Sequence, residues 1–241
     1  ANLIAMRFFR TIYNIFSIDE LRGRILNTIG FLVIFRLGSY IVLPGVDPNN
    51  LTNANQAGIF DLLNTFLGGS FSRASIFALG IMPYISASIV VQLLTVAVPK
   101  FTKLQKEGDS GRKKLNQWTR VLTILITTAQ SYAYLRATIN PEAIISPGMF
   151  FTVSSIVILV AGTMFCMWLG ERITDKGIGN GISMLIMIGI VSRLPLALVS
   201  EMTDKFPGKA IFFIIELFVL FGIVVAVIAL TQATRRIPIQ Y

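Results

Sequence analysis

Few residues in this sequence could do chemistry. The 241 residues include no histidine, which removes the commonest general base and a frequent metal ligand. The one cysteine, Cys166, lies within an apolar run, so no disulfide framework or cysteine metal cluster can form. Catalysis would depend on carboxylates, lysines, tyrosines and serines alone. We therefore predict that the protein is not an enzyme and has no catalytic residue, metal site or cofactor.

Two of the twelve acidic residues stand apart from loops and segment ends. Glu216 lies about six residues into the last long apolar run, and Asp61 lies in a short apolar segment. An ionisable side chain within a membrane segment is a functional candidate by default. Glu216, however, lies close enough to the end of its run to be hydrated, and that interpretation is favoured.

The glycine-rich stretches do not match nucleotide-binding motifs. The segment PKFTKLQKEGDSGRKKLNQWTR, residues 99–120, lacks the G-x-x-x-x-G-K-[ST] pattern. Gly177, Gly179 and Gly181 lack the G-x-G-x-x-G spacing and follow an apolar helix rather than a strand. Residues 99–120 carry seven basic and two acidic residues and two glycines, which favours an exposed, flexible loop.

The composition places the chain in a lipid bilayer. Hydrophobic residues make up 54% of it and charged residues only 14%, which is a poor fit for a soluble domain. Six apolar runs are each about 20 residues long, enough to cross a hydrocarbon core of about 30 Å. These predicted spans are 24–43, 74–98, 118–137, 150–169, 181–199 and 210–231.

The distribution of lysine and arginine predicts the orientation. An even number of spans puts both chain ends on one side, and that side holds 15 of the 21 basic residues. Because basic loops stay cytoplasmic, both ends should face the cytoplasm. The net charge of +9 is therefore explained by topology and does not by itself indicate nucleic-acid binding.

The segment before the first span should lie on the membrane surface. Ser17 and Glu20 have the S-x-x-E spacing of a capping box, which predicts a short helix starting at Ile18. We expect residues 3–22 to form an interfacial segment before the chain turns into the bilayer.

A short apolar segment, residues 58–71, separates the first two spans. Its apolar residues recur at helical spacing, but only about ten residues precede Gly68 and Gly69, or roughly 15 Å of helix. Such a helix cannot cross the bilayer, so it is either interfacial or re-entrant. Ser72 is a candidate N-cap for the next span, which contains the helix-weakening Gly80 and Pro83.

Five motifs resemble the SecY family, the central subunit of the protein-conducting channel, in its bacterial form. They cover nearly the whole chain in order and include two long blocks. The motifs are RLGSYIVLPGVD (36–47), FLGGSFSRASIFALGIMPYISASIVVQLL (66–94), KEGDSGRKK (106–114), GTMFCMWLGERITDKGIGNGIS (162–183) and RRIPIQY (235–241).

The resemblance implies an all-α polytopic membrane protein with six transmembrane helices and a short re-entrant plug helix. This is the first repeat of an inverted-repeat channel fold, plus one span. The implied division is a cytoplasmic interfacial segment 1–23, a five-span repeat 24–202 with the plug helix 58–71, and a sixth span with the start of a cytoplasmic loop, 203–241. The other half of the channel is expected outside this chain.

The resemblance also implies residues for the plug and the pore. The plug residues are Ile59, Phe60, Leu62, Leu63, Phe66 and Leu67. Ile81, Ile85 and Ile186 match the isoleucines of the family's hydrophobic pore ring. Ile81 and Ile85 are four residues apart and so share a helix face. Without the family, each isoleucine would be interpreted as ordinary packing.

The same helix should also border the lateral gate, through which apolar segments leave for lipid. Candidate gate residues are Ser86, Ser88, Gln92 and, on the third span, Gln130. Interhelical polar contacts of this kind contribute only about 1 kcal/mol each, weak enough to open. Ordinary interhelical hydrogen bonding remains an alternative for these residues.

The family implies several partners. Basic cytoplasmic residues should dock the ribosome or the ATP-driven motor SecA, and SecE and SecG should be companion subunits. The candidate docking residues are Lys106, Arg112, Lys113, Lys114, Arg235 and Arg236. Signal sequences, nascent chains and lipid complete the expected contacts, in the bacterial inner membrane.

Two other classes of function were considered. A secondary transporter or ion channel built on broken helices usually carries polar or charged groups at the break. Here the break is lined by isoleucine, glycine and phenylalanine, which offer little to coordinate an ion. A structural scaffold would explain the spans but leave the short helix without a role.

Reversing the charge of Arg235 and Arg236 to glutamate should weaken binding of SecA or of the ribosome. The loss should depend strongly on salt, because exposed charges are screened as ionic strength rises. Binding to reconstituted channels at low and high salt measures this effect, and parental affinity at low salt would rule it out.

Overall fold

The computed structural model describes residues 17–51, 59–205 and 210–233, with the side chains of residues 59–62, 204 and 210 excepted. Arg235 and Arg236 lie outside the described residues, as do residues 3–16 of the expected interfacial segment.

Eight α-helices account for most of the described part of the chain. Contacts separate two compact units, Ala1–Ser192 and Arg193–Tyr241, and the boundary lies just before Pro195. The predicted division at residues 23 and 202 concerns membrane topology and stays a prediction. The helices are α1 Asp19–Gly38, α2 Ile59–Phe66, α3 Met82–Ala97, α4 Pro99–Lys106, α5 Asp109–Ala137, α6 Met149–Lys176, α7 Gly181–Lys205 and α8 Ala210–Gln232.

Helix α1 is continuous where a break was expected. It begins at Asp19, with Ile18 as the N-cap, and continues without interruption to Gly38. Residues 19–22 therefore belong to the first long helix and not to a separate surface helix. Asp19 and Glu20 lie in the first turn, where negative charge is favoured by the helix dipole, and they pair with Arg22 and Arg24 at 2.9 and 3.0 Å.

The second predicted span begins later than expected. Residues 67–81 form turns, and α3 starts only at Met82, so Ser72 is not its N-cap. Pro83 lies in the first turn of α3, where its missing N–H costs no helix hydrogen bond. Gly80 has φ +52°, outside the helical region. Pro83 is thus a helix-start signal, whereas the apolar pattern of the sequence places it inside a span.

The basic segment after α3 is mostly helical. The chain bends by 99° between α3 and α4. After a turn at Gly108, with φ +72°, α5 begins at Asp109, nine residues before the predicted third span. Gly111 is buried against the backbone of α4, and a Cβ there would lie 1.7 Å from the Leu104 carbonyl oxygen. The expected flexible loop is therefore a helical hairpin.

Three helices among the described residues are long and apolar enough to cross a membrane, with bounds Met149–Lys176, Gly181–Thr203 and Ile211–Gln232. The bent pair of α3 and α4 makes a fourth if it is one span. The multi-helix membrane fold is thus supported, while the count of six spans stays a prediction. Helix α5 is less apolar because hydroxyl residues line its buried face.

The interface of α5 with α3 and α6 is built on that hydroxyl stripe. Thr119, Thr123, Thr127 and Ser131 are all buried. The first three donate to the carbonyl four residues earlier, at 2.6 to 3.0 Å, so their hydroxyls are satisfied within their own helix. Small side chains allow helices to approach closely, which is how they pack without bulky apolar residues.

A glycine on α6 lies close to the backbone of the turns before α3. A Cβ added to Gly162 would lie 2.2 Å from the Ile76 carbonyl oxygen. Gly30, inside α1, has open space at the same position. The first glycine is therefore required by packing, whereas the second is not.

Replacing Gly162 with alanine should destabilise the protein by about 2 kcal/mol, since backbone must shift to admit the methyl group. The matched variant Gly30→Ala should be neutral or stabilising by up to about 1 kcal/mol, because alanine favours helices. Thermal unfolding in detergent measures both changes. Equal shifts in the two variants would contradict this assignment.

Candidate pore and plug site

The proposed plug helix α2 ends in a left-handed glycine turn. Gly68 N donates to the Thr65 carbonyl at 3.2 Å, and Gly69 N donates to the Asn64 carbonyl at 2.8 Å. Gly68 has φ +62°, so this is a Schellman cap that satisfies the last carbonyls of the helix. The cap ends α2 after eight residues, too short to cross a bilayer.

Part of the predicted plug packs into the protein. Leu67 is buried in a hydrophobic cluster with Phe71 and Leu79, Leu63 is half-buried, and Phe66 is exposed. Side chains of Ile59, Phe60 and Leu62 lie outside the described residues, although the helix they begin is described.

The three predicted ring isoleucines meet at one apolar cluster. Ile81 is buried, and Ile85 and Ile186 are half-buried and pack against the same cluster. Residues of α1, of α6 and of the turns before α3 complete it. Its other buried members are Phe35, Phe77, Cys166, Leu169, Ile173 and Leu185.

The end of the proposed plug segment lies against the residue that precedes Ile81. A Cβ at Gly80 would lie 2.6 Å from Leu67 Cδ2, and Gly80 immediately precedes Ile81. Gly80 thus has two reasons to be glycine, its positive φ and the side chain of Leu67 against it. The proposed plug segment thus packs one residue before Ile81, the first predicted ring residue.

A cavity of about 310 Å³ joins the plug to two predicted gate residues. Ser86 on α3 and Gln130 on α5 line it, with Leu63 and Leu67 of the plug segment. Its walls are mostly apolar and include Met82. Ser86 and Gln130, with Tyr134 and Thr138, are therefore the polar residues that line a mostly apolar cavity.

The other two gate residues are arranged differently. Gln92 Nε2 donates to Ser88 Oγ at 3.2 Å, one turn apart on α3. Ser86 Oγ donates to the Met82 carbonyl, also within α3, at 3.2 Å. These hydrogen bonds stay within one helix, whereas contacts between helices were expected. The cause for Ser86 is geometric, since a serine hydroxyl readily reaches the carbonyl four residues earlier.

Four of the predicted docking residues lie at the corner between α4 and α5. Lys106, Arg112, Lys113 and Lys114 are all exposed there. Lys114 lies 3.7 Å from Glu107, a surface pair that contributes little to stability. The corner therefore presents cations on ordered helices.

Sequence patterns missed two polar contacts near the site. Tyr134, buried on α5, donates to the Phe71 carbonyl at 2.6 Å, with the two rings edge to face. Arg120 on α5 contacts both carboxylate oxygens of Glu171 on α6, at 2.8 and 2.9 Å. A tyrosine within an apolar run was a usable signal, because its hydroxyl needs a partner when buried.

In the second unit, Glu216 has a basic partner. Lys205 Nζ contacts the carboxylates of both Glu201 and Glu216. The hydrogen bond to Glu201 is the main cause that raises the pKa of Lys205, and the hydrogen bond to Glu216 is the second. Glu216 is thus ion-paired, which fits a structural role for this acid. Groups of three or more Cys, Asp or Glu able to hold a metal ion are absent from the described residues.

Comparisons with known proteins agree with the resemblance. The SecY family model matches residues 75–241. SecY translocase subunits of Buchnera aphidicola (44% identical) and Escherichia coli K12 (43%) match over 92% and 93% of this chain and 53% of their own length. The chain therefore spans about half the length of the curated relatives it matches.

Solved structures show the same fold. Sec61 in the canine ribosome-channel complex has a TM-score of 0.61 at 17% identity, covering 90% of this chain and 49% of that one. A protein-conducting channel has a TM-score of 0.58 at 18% identity, covering 85% and 47%. At these identities the likeness concerns fold alone, whereas the family model covers most of the sequence. The chain belongs to the SecY family.

Proposed function

We propose that this chain is the N-terminal half of a protein-conducting channel in the bacterial inner membrane. It would serve as a passive pore for unfolded proteins and release apolar helices sideways into lipid. The observation that carries this proposal is a helix too short to cross the bilayer, whose next residue, Leu67, packs against Gly80, the residue before Ile81 of the isoleucine cluster.

An apolar constriction suits a channel for polypeptides. Ile81, Ile85 and Ile186 project no charge or hydrogen-bonding group, so a narrow throat lined by them excludes ions by dewetting. They can also move aside for an extended chain without leaving a hydrogen bond unmade. A transporter site for a small ion would instead need polar ligands at this break.

The cavity beside the plug supports a lateral route. Its mostly apolar walls match the side chains of a signal sequence, and its polar lining residues include Ser86 and Gln130. The hydroxyl of Ser86 is bonded within α3, so separating α3 from α5 breaks no hydrogen bond of that group. The seam between these helices is therefore proposed as one wall of the lateral gate.

Partners are proposed to supply the driving force and the rest of the pore. SecA or the ribosome would drive transport and dock on the basic corner of α4 and α5 and on Arg235 and Arg236. The remaining half of the channel, with SecE and SecG, would complete the pore. The basic side of the membrane is proposed as cytoplasmic, with both ends of this chain on it.

Replacing Ile81 and Ile85 with serine should make the complete channel leak ions at rest, because hydroxyls let water remain in the throat. Conductance in planar bilayers measures the leak. The matched variant Ile89→Ser, on an exposed face of α3, should keep the parental conductance. A double variant that does not leak ions would contradict the ring assignment and, with it, the proposed function.

Deleting residues 59–67 should relax the hydrophobicity that an exported signal sequence requires, because the seated plug no longer has to be displaced. An export assay with a weakened and a normal signal sequence measures this relaxation. The normal signal is the control and should be exported at the parental rate. An unchanged preference would argue against the plug.

A further inference from the structure

The cap that ends α2 leaves one carbonyl outside the helix. Gly68 and Gly69 donate their N–H groups back to the last turn, while the Gly68 carbonyl oxygen points away from it and receives side chains instead. This oxygen lies at the negative end of the helix dipole, where cations are favoured.

Two arginines converge on that single oxygen. Arg36 Nη1, from α1, donates to it at 3.1 Å, and Arg73 Nη2, from the turns after the plug, donates at 3.0 Å. Both guanidinium groups are also held by Tyr40: their central carbons lie 4.9 and 4.5 Å from the ring centroid, and Arg36 Nη2 donates to the hydroxyl at 3.0 Å.

Neighbouring atoms pack closely around Gly68. A Cβ there would lie 2.9 Å from Arg36 Nη1 and 3.0 Å from the Gly189 carbonyl oxygen on α7. The end of the plug is thus enclosed by α1 on one side and α7 on the other. Of these contacts, only those from the arginines are charge-assisted hydrogen bonds, which are stronger than neutral ones.

The arrangement combines strength with a means of release. Two like charges share one neutral acceptor, so their mutual repulsion offsets part of what each hydrogen bond contributes. The ring of Tyr40, which follows α1, offsets part of that repulsion in either position, whereas the dipole of α2 does so only while α2 is seated. Moving Gly68 away removes the shared acceptor from both arginines in one step.

We propose that Arg36 and Arg73 are positioning residues that form a latch on the Gly68 carbonyl and hold the plug helix in its seated position. This rests on the proposed function of α2 as a plug. The residues that hold the plug in place would therefore lie at the glycine turn that ends α2, and not in the isoleucine ring or the cavity.

The test follows plug release directly in the complete, reconstituted channel. Ser70 lies two residues after Gly68 and is fully buried, so Ser70→Cys is a near-isosteric reporter. The native Cys166 is buried as well. The labelling rate of the reporter by a membrane-impermeant maleimide should rise about tenfold in Arg36→Gln and further in Arg36→Gln with Arg73→Gln.

Two controls separate a latch from general destabilisation. Arg136→Gln removes an arginine that stacks on Tyr132 at 5.6 Å, far along the sequence from the plug, and should label at the parental rate. Arg36→Lys keeps the charge, but a single ammonium group cannot replace a guanidinium that donates to the Gly68 carbonyl and the Tyr40 hydroxyl at once. Its labelling rate should therefore lie between those of the parent and of Arg36→Gln. The thermal unfolding midpoint of each variant should stay near the parental value.

The outcomes are distinct. Parental labelling in the Arg36→Gln variant, or an equal rise in Arg136→Gln, overturns the latch. Failure of the double variant to assemble leaves the single variant to decide. If the latch variants label quickly but deletion of residues 59–67 leaves the channel sealed and selective, the latch stands and the plug function fails.

Discussion

Unpaired backbone groups cannot remain in hydrocarbon, and this constraint governs the centre of the first unit. Residues 67–81 lie between apolar helices but form turns, so their N–H and carbonyl groups need partners outside a helix. The chain after α1 provides some of them: Leu43 N donates to the Ala74 carbonyl at 2.8 Å, and Ile76 N donates to the Ile41 carbonyl at 2.9 Å. Non-helical backbone is tolerated here because protein surrounds it.

Surrounding the turns requires close approach by the long helices. A Cβ at Gly38 on α1 would fall 2.1 Å from the Phe77 ring, as one at Gly162 on α6 would meet the Ile76 carbonyl. Tyr134 on α5 contributes its hydroxyl to the Phe71 carbonyl. Three helices thus each contribute a glycine or a tyrosine that accommodates this one irregular segment. That segment in turn carries the proposed plug hinge and the first proposed ring residue.

Polar contacts between helices are unevenly distributed. Arg120 Nη2 on α5 contacts both carboxylate oxygens of Glu171 on α6, and the hydroxyl stripe of α5 packs closely. On the cavity side, the hydroxyl of Ser86 donates a hydrogen bond within α3. Because α3 has few polar ties on that side, it is the wall best suited to move in the proposed gate.

The sequence alone determined the membrane class, the helical fold, the short helix before α3 and the family, because apolar periodicity and long motifs are local properties. It did not determine where α3 begins. Ser72 and Pro83 are both helix-start signals, and the choice between them depends on partners distant in the chain: the carbonyl of Ile41, the hydroxyl of Tyr134 and the space above Gly162. Likewise, nothing local indicates that Arg36 and Arg73 meet at one carbonyl, since only the folded chain brings α1 to the end of α2.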